Sequence, residues 1–142
     1  HAELEFTRLF EDELVAIVPP SSPLAERPYL DAEELARQEL LFHFDPDRSA
    51  LLVDVLGPAG LEPAGVTELR LTEAVIESVK AGLGVSLMAR WAVEPQIAAG
   101  TLAAVRVTET GLRRVWWACT RRGNPSPGSA ELVGILRRLG LQ

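Results

Sequence analysis

Cysteine is nearly absent from this sequence. Cys119 stands alone, so no disulfide can form within the chain, and a small secreted framework held by bridges is excluded. Histidine is almost as scarce. His1 and His43 lie far apart, and neither has a partner at the spacing of a zinc ligand set. Basic residues are in the minority: 14 Lys and Arg face 20 Asp and Glu, for a net charge of −6. That balance argues against this segment itself binding DNA or an acidic membrane. No apolar run is long enough to span a bilayer, and the first residues lack the charged-then-apolar pattern of a signal peptide. No glycine loop cradles a phosphate, because Gly82 and Gly84 follow a helical pattern, whereas a dinucleotide fingerprint precedes one. No serine sits in a nucleophile elbow. Nothing here gives positive grounds for an enzyme, although catalytic residues need only meet in space.

What is present reads as one globular domain or two small lobes. The 142 residues are 47% hydrophobic and 24% charged, enough apolar content for a real core. Residues 13–18 form a short β-branched run stopped by Pro19 and Pro20, a buried strand. Residues 31–37 read as a short helix that Asp31 caps, with Glu34 at the capping-box position. An apolar strand follows at 39–44, and it runs into a polar loop at 45–49. A helix is predicted at 50–56 and a strand at 66–71. Thr72 then precedes a helix whose apolar Val75, Ile76 and Val79 recur at helical spacing, and its hydroxyl is placed to cap that helix. Gly82 and Gly84 release the chain into a short strand at 85–88. A helix at 91–99 contains Pro95, strands follow at 102–107 and 114–120, and Ser129 stands before a final helix with Leu132, Val133, Leu136 and Leu139 on its apolar side.

This alternation predicts an α/β fold with a mainly parallel sheet. Sheets of that kind bind small ligands beyond the carboxyl ends of their strands. The Trp116–Trp117 pair lies in a strand pattern, so the two rings face opposite ways, with one expected in the core. Arg113, Arg114, Arg121 and Arg122 read as the solvated ends of the same strand.

Several of these segments resemble the effector-binding domain of LysR-type transcription regulators. Leu9 and Phe10, the 13–18 strand and Pro23-Leu24-Ala25 are similar to that family's strand and following turn. Thr72-Glu73-Ala74-Val75-Ile76, followed by Val79 through Val85, resembles its most recognisable helix. Within the family the likeness is to the methionine-biosynthesis (MetR-type) branch. It rests on Pro58-Ala59-Gly60, Pro63, the run from Glu68 to Val75, Trp91-Ala92-Val93, Gly100, and Gly111-Leu112. Where that branch tends to carry Tyr-Pro and then Arg-Leu-Asp, this chain has Phe42-His43-Phe44-Asp45 and then Arg48-Ser49.

The resemblance implies an α/β, periplasmic-binding-protein-like effector domain. One lobe would be complete and the other represented only by its C-terminal part. Residues 1–13 would be a crossover and strand of the truncated first lobe. Residues 14–106 would be the complete second lobe, and 107–142 the return crossover strand and C-terminal helix. A winged helix-turn-helix would lie upstream, outside this chain, and would carry the DNA contacts. The implied protein is cytoplasmic, has no catalytic role, metal or cofactor, and forms a dimer or tetramer. Its effector would be homocysteine or a similar small molecule.

The resemblance and the strand-end rule together single out His43, Phe44, Asp45, Thr72, Glu73, Met88 and Trp91 as effector contacts. Thr72 would hold a carboxylate at a helix N-terminus. Glu73 or Asp45 would pair with an α-amino group, and the aromatic residues would cover a thioether chain. Three other readings stay open: a regulator of the same family that senses a different small carboxylate, a solute-binding module of a transport system, and a small-molecule α/β enzyme.

Overall fold

The structure is a computed structural model that describes residues 3–123, 126 and 128–139, the last by its backbone alone. The chain divides into two compact units, Leu14–Leu112 on the one hand and His1–Glu13 with Arg113–Gln142 on the other.

In the first unit, four strands lie in the order β2 (Tyr29–Leu30), β6 (Ala103–Val107), β1 (Leu4–Val18), β5 (Ser86–Ala89). β2 runs parallel to β6, but β1 is antiparallel to both of its neighbours, with Val15 opposite Met88 on one side and Arg106 on the other. The sheet is therefore mixed, which corrects the expectation of a mainly parallel one. Apolar content marks a strand as buried but carries no information about its direction. β1 is also far longer than its apolar half, because its first residues alternate with charged side chains that hide the strand pattern. A second, parallel pair joins β3 (Glu39–Phe42) to β4 (Gly65–Glu68), and a parallel bridge ties Leu40 to Val85 just before β5.

Strand alternation divides the core into two clusters. Ala16 and Val18 of β1, with Leu40 and Phe42 of β3, join Leu30, Leu35, Leu51, Val55, Leu56, Val105 and Val107. Val15, Ile17 and Leu41 point the other way, toward Val75, Ile76, Val79, Met88, Val93 and Leu102. Because β1 is buried on both faces over Leu14–Val18, that stretch has no polar positions.

The helices follow from local chemistry, with departures from the sequence reading at α2 and at residues 51–56. α1 (Ala32–Ala36) carries the expected capping box: the Asp31 carboxylate accepts from the Glu34 N–H at 2.8 Å and Glu34 reaches back to the Asp31 N–H. α2 (Thr72–Lys80) begins one residue earlier than read. Its N-cap is Leu71, which has no side-chain acceptor, so Thr72 is the first helical residue and caps nothing. Arg70, at φ 56°, makes the turn that brings this about. Residues 51–56 are helical, but with π rather than α hydrogen bonding. The two glycines after α2 have different tasks. Gly82 ends the helix at φ 76°, and the Leu83 N–H closes on the Ser78 carbonyl. Gly84 instead permits close packing, since a Cβ there would lie 2.5 Å from the Glu39 carbonyl oxygen. α3 (Arg90–Ala98) runs through Pro95.

In the second unit, the first half of β1 pairs with β7 (Leu112–Arg121), and the Arg122 N–H donates to the Glu3 carbonyl at 2.7 Å. Trp116 is half-buried and stacks on Phe10 with ring centroids 5.9 Å apart, whereas Trp117 is exposed. Arg114 is not a solvated strand end. Its guanidinium lies 4.5 Å over the Trp116 ring and 3.9 Å from Asp12. α4 (Ser129–Leu139) begins at Ser129 itself, with Val133 and Leu136 half-buried and Leu132 exposed. The expected inward placement of the Leu139 side chain lies outside the described residues. Every buried apolar residue of the described chain belongs to the Leu14–Leu112 unit.

Candidate functional site

β3, β4 and the strand entered at Val85 are parallel, so the chain leaves all three at one edge. Three segments emerge there: the loop starting at His43, the Leu69–Arg70–Leu71 turn into α2, and the start of α3. This is the edge at which parallel sheets offer ligand sites.

At the first segment, His43 is half-buried and meets the Phe44 ring edge-on, with centroids 4.8 Å apart. Phe44 in turn meets Phe42 edge-on at 6.4 Å. Desolvation holds the His43 pKa below its ordinary value, which favours the neutral imidazole. Asp45 is already engaged: one carboxylate oxygen accepts from the Asp47 N–H at 3.1 Å and closes the short turn through Pro46. Its other oxygen accepts no hydrogen bond among the described residues, so Asp45 keeps capacity for a cation.

At the second segment, Thr72 and Glu73 are exposed in the first turn of α2. With Leu71 at the N-cap, no side chain caps the first N–H groups. The mouth of the helix therefore presents donors and the positive end of its dipole. Leu71 is itself 63% exposed. The sequence reading passed over Leu71 and Arg70. A left-handed arginine leaves no local sequence signal, since glycine or asparagine is the usual occupant of that conformation.

At the third segment, Trp91 is 54% exposed in the first turn of α3. Met88 does not join these residues. It is 4% exposed and packs in the core cluster with Val15, Ile17 and Val75. Residues on a strand alternate between faces, and Met88 falls on the inward one. Six of the seven expected contacts thus lie at the edge, and Met88 lies beneath it. Among the described residues no group of three or more His, Cys, Asp or Glu side chains is arranged to hold a metal ion.

The second unit has a groove of its own, about 520 Å³, between β7 and α4. Ala118, Thr120, Ser126, Leu132, Val133 and Leu136 line it.

Taken together, two α/β units with an open strand-end edge define a ligand-binding domain of the periplasmic-binding-protein-like class. The regulatory domain of MetR from N. meningitidis has the same fold, with a TM-score of 0.84 at 24% identity over 99% of this chain and 66% of that one. Residues 1–140 match the LysR substrate binding domain, and the chain belongs to that family. The HTH-type transcriptional regulator YeiE of Escherichia coli K12 is 35% identical over 113 residues, 79% of this chain and 38% of YeiE. MetR of Salmonella typhimurium is 29% identical over 130 residues, 90% of this chain and 40% of that protein. The chain thus spans well under half the length of these regulators. Family membership makes it an effector-sensing regulatory domain rather than an enzyme.

Proposed function

We propose that this domain senses homocysteine, or a closely related α-amino acid, for a LysR-type regulator of sulfur amino-acid metabolism. The observation that carries the reading is the uncapped mouth of α2, at a strand-end edge where Phe44, Leu71 and Trp91 are exposed. Thr72 and the first N–H groups of the helix bind the effector carboxylate. Glu73 or the free oxygen of Asp45 takes the ammonium. Phe44, Leu71 and Trp91 cover the sulfur-bearing chain, and the neutral His43 imidazole borders it. The likeness to a MetR regulator over 90% of the chain favours sulfur metabolism.

In this reading, residues 14–106 are the complete second lobe, while 1–13 and 107–142 belong to a first lobe whose other strands lie elsewhere in the regulator. DNA is bound by a separate winged helix-turn-helix, and the cytoplasmic regulator works as a dimer or tetramer. No helix among the described residues is long and apolar enough to cross a membrane.

One observation favours a second effector class. The His43-Phe44-Asp45 loop departs from the pattern of the MetR-type branch at the edge itself, which suits a different small carboxylate. Isothermal calorimetry on the intact regulator, with homocysteine and with methionine and cysteine as controls, separates the two. Saturable binding of homocysteine alone supports the first. Binding of none of the three sinks the sulfur assignment and directs the search to other carboxylates.

A further inference from the structure

The stretch that follows the His43 loop is held in an uncommon register. Over Leu51–Leu56 the backbone is a π-helix, in which each N–H reaches back five residues instead of four. The Gly57 N–H accordingly donates to the Leu52 carbonyl at 2.9 Å. One turn earlier the reach is ordinary, since the Val53 N–H donates to the Ser49 carbonyl at 3.0 Å. π-Helical turns are rare, and they occur frequently at functional sites. Here the packing sustains one. Leu51, Val55 and Leu56 are buried in the same cluster as Phe42, and Phe42 meets Phe44, which meets His43.

Gly57 marks where two registers meet. Its backbone is plainly helical, at φ −56° and ψ −52°, so no left-handed turn demands glycine. The demand is for space. A Cβ at this position would lie 2.9 Å from the Leu52 oxygen, the π acceptor, and 3.4 Å from the Val53 oxygen, the α acceptor. Both carbonyls thus crowd the same residue.

We infer that residues 51–56 are a two-register element, exchanging five-residue for four-residue hydrogen bonds, and that the exchange regulates the sensing edge through Phe42, Phe44 and His43. In the α register one residue passes into the turn at 57–60, where the Gly60 N–H already closes on the Gly57 carbonyl at 3.0 Å. The exchange turns Leu51, Val55 and Leu56 relative to one another. A close-packed cluster passes that displacement on to Phe42, because it contains no slack to absorb it. The purpose of the element rests on the sensing role proposed above, but the exchange itself is measurable without any effector.

The test is nuclear magnetic resonance on the isotope-labelled regulator. Scalar couplings across hydrogen bonds identify the acceptor of the residue 57 N–H, and the His43 imidazole signals, assigned with His43→Gln, report on the edge. In the unmodified protein the coupling is to Leu52. Gly57→Ala places a methyl against the π acceptor, and alanine outranks glycine as a helix former. The expected result is transfer of the coupling to Val53, retained cooperative melting, and displaced His43 signals. Deletion of Val53, which is 56% exposed, removes one residue by a second route and is expected to move the His43 signals in the same direction. A coupling that stays on Leu52 in Gly57→Ala overturns the exchange. Unmoved His43 signals after the transfer overturn its regulatory role. If Gly57→Ala does not fold, the deletion decides, and its failure to fold means that the packing admits only the π register. Absence of homocysteine binding would sink the effector assignment while leaving these readings intact.

Discussion

The Nε atom of Arg114 lies 3.9 Å from Oδ2 of Asp12, and both atoms are buried without a hydrogen bond. The two residues tie β1 to β7, and Arg114 also covers the Trp116 ring. Nearby Glu11 and Arg113, 3.8 Å apart on the exposed side, contribute little because water screens them. Asp12, with a side chain 7% exposed, has no such screening. Asp12→Ala is expected to cost about 1–2 kcal/mol, less than the roughly 3–5 kcal/mol of a fully buried broken pair, because the Arg114 side chain is 40% exposed. Urea melts followed by tryptophan fluorescence measure the loss. A double-mutant cycle with Arg114→Met that shows additivity within about 0.3–0.5 kcal/mol would mean that the pair contributes nothing.

His43 gives a pH dependence whose sign follows from its burial. Desolvation lowers its folded pKa below the ordinary 6.5, so in the window between the two values the unfolded chain binds more protons than the folded one. The stability contributed by neutral His43 is fully present above pH 6.5 and is lost as the pH falls through that window. His43→Gln is expected to flatten this part of the stability–pH curve. An unchanged slope in the variant would assign the dependence to other groups.

The glycines after α2 are expected to respond differently to the same substitutions. Gly84→Ala drives a Cβ against the Glu39 carbonyl and the Leu41 side chain, an overpacking cost of about 1–3 kcal/mol. Gly82→Ala meets no atom but must hold φ 76°, at about 1–2 kcal/mol. Asparagine separates the two causes. It accepts the left-handed conformation, so Gly82→Asn is tolerated, while Gly84→Asn is at least as damaging as alanine. Equal thermal shifts for the two asparagine variants would contradict this division.

At the proposed sensing edge, Thr72→Val removes a hydroxyl proposed to meet a carboxylate, and homocysteine binding is expected to weaken by roughly tenfold or more, from about 1.5–3 kcal/mol for a hydrogen bond to a charged group. Met88→Leu conserves volume in the core and is expected to cost less than about 1.5 kcal/mol of stability while leaving affinity unchanged. Calorimetry on both variants checks the contrast. Weakened binding in Met88→Leu with Thr72→Val unaffected would reverse the placement of the site.

Much of the edge is legible in the sequence. The strand end at His43, the helix opening at Thr72 and the aromatic at Trp91 each carry a local signal, namely an apolar run that stops, a helical period that starts, or a ring just beyond the end of a short apolar strand. Arg70 and Leu71 carry none. Their importance comes from a left-handed turn that sets the start of α2 one residue early and leaves its first N–H groups uncapped.

The sequence by itself determined what is settled within a turn or two of chain: the Asp31–Glu34 capping box, the Val75–Ile76–Val79 stripe of α2, and the α/β alternation of its elements. These depend on propensity, caps and periodicity, which neighbouring residues decide among themselves. The tertiary structure alone decided that β1 runs antiparallel to β5 and β6, that Met88 faces inward, that Arg114 sits on Trp116 beside Asp12, and that residues 51–56 adopt the π register. The partners of β1, Met88 and Arg114 in these arrangements, namely β5 and β6, Val15 and Ile17, and Asp12, lie far away in the chain. Strand direction, burial and helical register are set by what an element packs against, and that is not written in the element itself.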